Sequence, residues 1–124
     1  MISLNVVIFL IAIHFLADFG LQTNEQATKK STSNTYLFYH VGVYSMAWFI
    51  SMWGFTGKCE MALLFAIITF CCHYITDYIT SRISKKFFAV NDYHNGFVTI
   101  GFDQVLHYLQ LLATYQFLIN INSF

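Results

Sequence analysis

The chain has 124 residues, room for one domain, and a formal net charge of zero. Hydrophobic residues make up 57% of it and charged residues 10%, against about 25% charged in an average soluble domain. Too few polar groups are available to cover a water-exposed surface, so the lipid bilayer is the expected solvent. With no basic patch or arm, nucleic acid is not an expected partner.

Helix-length apolar runs are predicted at residues 2–21, 36–55, 61–83 and 97–121. Each has about 20 residues, enough for a hydrocarbon core of ~30 Å. The first run lacks the basic start and small-residue cleavage site of a secretory signal. It carries His14 and Asp18 inside its apolar stretch, and so reads as a retained membrane helix. A polar stretch over 22–35, with Glu25, Lys29 and Lys30, separates it from the second run. Trp48 and Trp53 in that second run are expected toward the outer interface, where amphipathic rings are favoured. Thr56–Glu60 is a predicted tight turn with Gly57 supplying backbone freedom. Cys59, Cys71 and Cys72 have no metal-type spacing and read as buried small apolar residues. The connection 84–96 ends in the turn signal Asn95-Gly96 and holds Asp92 and His94 as solvated turn residues.

Lys29, Lys30, Arg82, Lys85 and Lys86 flank one side of these runs and Lys58 the other. The positive-inside rule then makes loops 22–35 and 84–96 cytoplasmic and places both termini outside. The expected fold is all-α, an integral membrane four-helix bundle forming a single transmembrane domain.

Three of the six acidic residues and four of the five histidines fall inside these runs: Asp18, Asp77, Asp103, His14, His40, His73 and His107. A central Asp costs about 2.5–3.5 kcal/mol to insert, so such groups persist where they face each other, a cavity or a metal. Consecutive spans are antiparallel, and position converts to depth. Asp18 is three residues from the loop end of its span, His14 seven and His40 four; Asp77 and Asp103 are six in, His73 and His107 ten. At 1.5 Å per residue all seven share a layer roughly 4–15 Å below the cytoplasmic boundary. His14–Asp18, His73–Asp77 and Asp103–His107 are also i, i+4 pairs on common helix faces, able to bind a metal together or to orient each other. Gln104 and Gln22 extend the polar face. His14-Phe15-Leu16-Ala17-Asp18-Phe19 matches His73-Tyr74-Ile75-Thr76-Asp77-Tyr78 at an offset of 59 residues, which suggests two repeated helical hairpins related by a pseudo-two-fold.

These motifs, with a lysine in the first loop (Lys29 or Lys30), resemble the signature of an uncharacterised bacterial and phage membrane family, domain of unknown function 3307. The resemblance spans about Val6 to Leu112 and implies a small multi-span membrane protein with no settled activity; the bacterial inner membrane is the expected location. Members typically carry a lysine shortly after the third-span aspartate, where the nearest basic residue of this chain is Arg82. The intramembrane His and Asp also resemble, in site chemistry alone, membrane metal-dependent hydrolases and ceramidase-type amidases.

The expected chemistry is a divalent metal, Zn or Mn, held by members of the set His14, Asp18, His40, His73, Asp77, Asp103 and His107. It would activate water for hydrolysis of a membrane-associated, lipid headgroup-like substrate, with Asp18, Asp77 and Asp103 as catalytic carboxylates. Gln22, Lys29, Lys30, Arg82 and Gln104 are the expected substrate-binding residues. Two alternatives use the same residues. One is an ion, proton or solute carrier, which would need a homo-oligomer; the other is a structural or host-modifying membrane interaction module, clamped by interhelical hydrogen bonds.

Overall fold

The computed structural model describes residues 1–122, and among them every regular element is helical. Helix α1 (Leu4–Phe15) starts at Ser3, whose hydroxyl accepts from the Val6 amide. It runs into a single π turn, Leu16–Gly20, closed by the Leu21 amide donating to the Leu16 carbonyl. The short α2 (Asn24–Lys29) follows, then α3 (Asn34–Thr56), α4 (Cys59–Ala89) and α5 (Tyr93–Asn122). Helix α4 packs along both α3 and α5, while α1 and its π turn lie against α3 and α5.

The predicted runs locate all four long helical stretches, and their ends differ in ways the local chemistry explains. The polar stretch 22–35 contains α2, started by a capping box in which Thr23 accepts from the Gln26 amide and the Gln26 side chain accepts from the Thr23 amide. The expected long connection 84–96 is mostly helix, because α4 continues to Ala89 and α5 begins at Tyr93. The chain reverses at Asn91, in the left-handed region at φ 59°, and Asp92 caps α5 by accepting from the Asn95 amide. Asn95-Gly96 therefore lies within the first turn of α5 and is not the turn itself. Gly96 serves a close approach: a Cβ there would stand 2.5 Å from the Phe88 ring. Gly57 takes the left-handed conformation (φ 69°) that ends α3 at the expected tight turn.

The interior divides along its length. Val6 and Leu10, Tyr44, Trp48 and Met52, Met61 and Phe65, and Leu111, Tyr115 and Leu118 form one apolar core. That core fills the half nearest the α3–α4 turn. The half nearest α2 buries His14, Asp18, His40, His73, Asp77 and His107 instead. Trp48, expected at an interface, is fully buried; it lies one turn from Tyr44 on the inward face of α3 and packs on Phe65, while Trp53 is exposed. The cysteines, expected to be buried, are free, with Cys59 and Cys71 exposed and Cys72 half-buried, since they fall on the outer face of α4.

Among the described residues one helix, α4, is long and apolar enough to cross a membrane; α1 with its π turn is a shorter apolar helix. Helices α3 and α5 have 23 and 30 residues. Inward-facing polar residues such as His40, Ser45, His107 and Thr114 dilute their apolar runs. The outward faces carry large apolar side chains on every long helix, among them Ile8, Phe38, Ile50, Ile67, Ile79 and Leu109.

Candidate metal centre

Three helical segments bring four donor residues to one point. Asp18 arrives from the π turn, His40 from α3, His73 and Asp77 from successive turns of α4. All four are buried. His40 Nε2 stands 3.1 Å from Asp18 Oδ1, 3.3 Å from Asp77 Oδ2 and 3.2 Å from His73 Nε2. His73 Nε2 is 3.5 Å from each of the same two carboxylate oxygens. One ligand atom from each residue lies within 4.8 Å of every other, so the group is able to hold a metal ion.

A second group adjoins it and shares Asp18. With Asp103 and His107 of α5 it again gathers donor atoms within 4.8 Å. His107 Nε2 lies 3.3 Å from Asp103 Oδ2 and 3.1 Å from Asp77 Oδ1. Gln104 Nε2 donates to Asp18 Oδ2 (3.2 Å) and to Asp103 Oδ2 (3.1 Å), fixing the two carboxylates against each other. Thr80, one turn beyond Asp77, donates its hydroxyl to Asp103.

His14 stands outside both groups. The amide of Gln104 faces two carboxylates, which turns its carbonyl Oε1 toward His14 Nε2 at 2.8 Å and requires a proton on that nitrogen. Nδ1 is then the acceptor for the Tyr44 hydroxyl, also at 2.8 Å. Both ring nitrogens are thus engaged in hydrogen bonds. His14 supports Asp18 from 3.7 Å, where it had been expected among the metal ligands.

The expected substrate-binding residues separate in the same way. Lys30 reaches inward from the end of α2, with Nζ 2.8 Å from Asp77 Oδ2 and 3.4 Å from His40 Nε2. Burial pulls its pKa down, yet the Asp77 and Asp18 carboxylates raise it by more, so it stands above its ordinary value. Lys29, its neighbour, points away to Glu25 and Tyr36. Arg82 lies apart from the cluster, donating to Asn34 Oδ1 and covering the Tyr78 ring. Gln104 joins the cluster directly. Gln22 lines a cavity of about 400 Å³ between α2, α4 and α5, whose wall includes Lys30, Asp77, Ser81, Lys85 and Asp103. The side-chain Oε1 of Gln22 and Oγ of Ser81 are buried there without a protein partner.

Sequence reasoning missed Tyr44, Thr80, Ser81 and Lys85. Tyr44 stacks on His73 with ring centroids 3.9 Å apart, and His73 stacks in turn on His107 at 4.2 Å. The helical period held the signal: Tyr44 follows His40 by one turn, and Thr80 and Ser81 follow Asp77 by one turn.

An all-helical protein with buried His/Asp groups able to hold a metal ion is the class that this fold and site define. The chain belongs to the family described as protein of unknown function (DUF3307), which it matches over residues 6–123. No curated protein and no solved structure matches it.

Proposed function

We propose that this protein is a four-span integral membrane metalloprotein that hydrolyses a headgroup ester, amide or phosphoester of a membrane-associated substrate. The observation that carries the metal is the spacing of four donor atoms. A tetrahedral cation with bonds of about 2.0–2.1 Å holds its ligand atoms roughly 3.3 Å apart. Five separations within the group Asp18, His40, His73 and Asp77 run from 3.1 to 3.5 Å. Lys30 donates to Asp77 Oδ2 from the edge of the group, while among the four residues themselves His40 Nε2 carries at most one hydrogen and faces two carboxylate oxygens and a second imidazole nitrogen. A divalent cation satisfies all four donors together.

Membrane insertion is supported by the inverted distribution of polarity, with Asp and His inside and Ile, Leu and Phe outside. Within that setting the two hairpins, α1–α3 and α4–α5, form an approximate repeat. Loops 22–35 and 84–96 are cytoplasmic, and the cavity opens at the headgroup level. A divalent cation held by the cluster would supply a water whose pKa is lowered to about 7 wherever its ligands leave a position open. Lys30 and Lys85 flank the cavity and suit an anionic headgroup. The carrier reading is less well supported, because Trp48, Met52, Phe65, Leu111 and Leu118 fill the opposite half of the interior.

Metal analysis of the detergent-purified chain after incubation with Zn or Mn tests the proposal. Stoichiometric metal that is absent from a His73→Ala, Asp77→Ala double variant is the expected result. Wild-type protein that retains no metal overturns it.

A further inference from the structure

Four protein ligands close a tetrahedral site, whereas a catalytic one keeps a position open for water. The group Asp18, His40, His73 and Asp77 is of the closed kind. The adjoining group, Asp18, Asp103 and His107, has three ligands, and Asp103 lines the cavity.

We infer that the site binds two divalent cations bridged by the Asp18 carboxylate, and that the second, at Asp18, Asp103 and His107, presents the open position to a phosphoester in the cavity. This rests on the metal reading above and extends it.

The carboxylate oxygens are divided between the two positions. Asp18 Oδ1 faces His40 and His73, and Asp18 Oδ2 faces the Gln104 amide that also holds Asp103. Asp77 repeats the division, with Oδ2 toward His40 and His73 and Oδ1 toward His107 at 3.1 Å. Asp18, the residue common to both groups, offers one oxygen to each side, as a bridge between paired cations about 3.5–4 Å apart requires. Asp103, read from sequence both as a catalytic carboxylate and as a metal ligand, keeps the second role here.

Paired cations of this kind stabilise attacking and leaving oxygens in an in-line displacement at phosphorus, and Lys30 and Lys85 on the cavity wall favour an anionic phosphoester over a neutral ester or amide. Water loses a proton to solvent, and its oxygen forms a bond to phosphorus. The bond from phosphorus to the leaving oxygen breaks, and that oxygen takes a proton from water in the cavity. No oxidant or co-reactant is involved.

The test is Mn(II) loading of the full chain in detergent, with metal counted after desalting and the spin state read by electron paramagnetic resonance. Two Mn per chain with an exchange-coupled spectrum is expected. His107→Gln and Asp103→Asn should each retain one Mn, with the spectrum of an isolated ion. One Mn per wild-type chain with an uncoupled spectrum overturns the second position and leaves the single-metal reading standing. No retained Mn overturns both. Should either variant fail to fold by circular dichroism, the wild-type stoichiometry and coupling decide the matter alone.

Discussion

The two hairpins carry the same His-x3-Asp pattern at the same level and put it to different use. In the second, α4 is regular, so His73 and Asp77 sit one turn apart on one face and both enter the cluster. In the first, the helix passes from α1 into the π turn between His14 and Asp18. Asp18 still enters, but His14 is held aside by Tyr44 and Gln104, and the imidazole in its place comes from His40 on α3. What both hairpins share is a different pairing: Asp18 with His40 and Asp77 with His107, each at 3.1 Å. Each joins the first helix of a hairpin to the second. The two matching segments thus share the cross-helix pair, while one local change in helical winding reassigns the histidine beside it.

The largest effect expected from this contrast separates two histidines that look equivalent in sequence. His73→Ala removes a donor from the four-atom group and should lower metal affinity by more than about 100-fold. His14→Ala removes a partner of Asp18, and losses of such outer contacts run at roughly 10–100-fold. Titration of both variants with Zn, in the same detergent, checks the order. Equal losses would erase the distinction drawn between the hairpins.

A smaller effect concerns how tightly each hairpin closes. The second depends on Gly96, which admits the Phe88 ring against the start of α5. Gly96→Ala should destabilise the fold by about 1–3 kcal/mol through overpacking, read from thermal unfolding. The first hairpin has no such ring contact, and alanine at Gly42, where a Cβ meets nothing within 4 Å, should change little.

Lys30 adds a charged contact between the hairpins, running from the end of α2 to Asp77 on α4. Its folded pKa is raised above the ordinary 10.5. The stability it contributes is therefore complete below that value and is lost as pH rises through the folded pKa. Metal-free wild-type protein should lose stability in that alkaline window, and Lys30→Met should show a flatter dependence over it. Parallel melting curves at rising pH check this; equal slopes would remove Lys30 as a charged link.

Much of this arrangement was legible in the sequence, for identifiable reasons. Depth follows from residue count in antiparallel helices, so the shared layer of Asp18, His40, Asp77 and Asp103 could be read directly. The separation of Lys30 from Lys29 could not, because it depends on where α2 ends, although the Thr23-x2-Gln26 capping pattern was available. Trp48 departs from the interfacial preference of tryptophan because its spacing from His40 and Tyr44 puts it on the inward face. The fate of His14 lay beyond periodicity altogether: hydrophobic spacing does not encode a single π turn.

The smallest effect belongs to the outer edge of the first hairpin. Glu25 and Lys29 pair at 3.2 Å with Tyr36 beside them, all at the surface. The Lys29 ammonium, with help from the Tyr36 hydroxyl, lowers the Glu25 pKa, so any contribution is present above the ordinary carboxylate value and fades as pH falls through the lowered one. Solvent screens such a pair, and exposed pairs commonly contribute almost nothing. Glu25→Gln should accordingly leave both melting temperature and metal content where they were, at neutral pH and at pH 4 alike. This sharpens the comparison from its quiet side. If the variant loses metal, α2 positions Lys30 through its charged surface as well as through the Thr23 and Gln26 cap, and the first hairpin's loop is coupled to the site more closely than its buried contacts require.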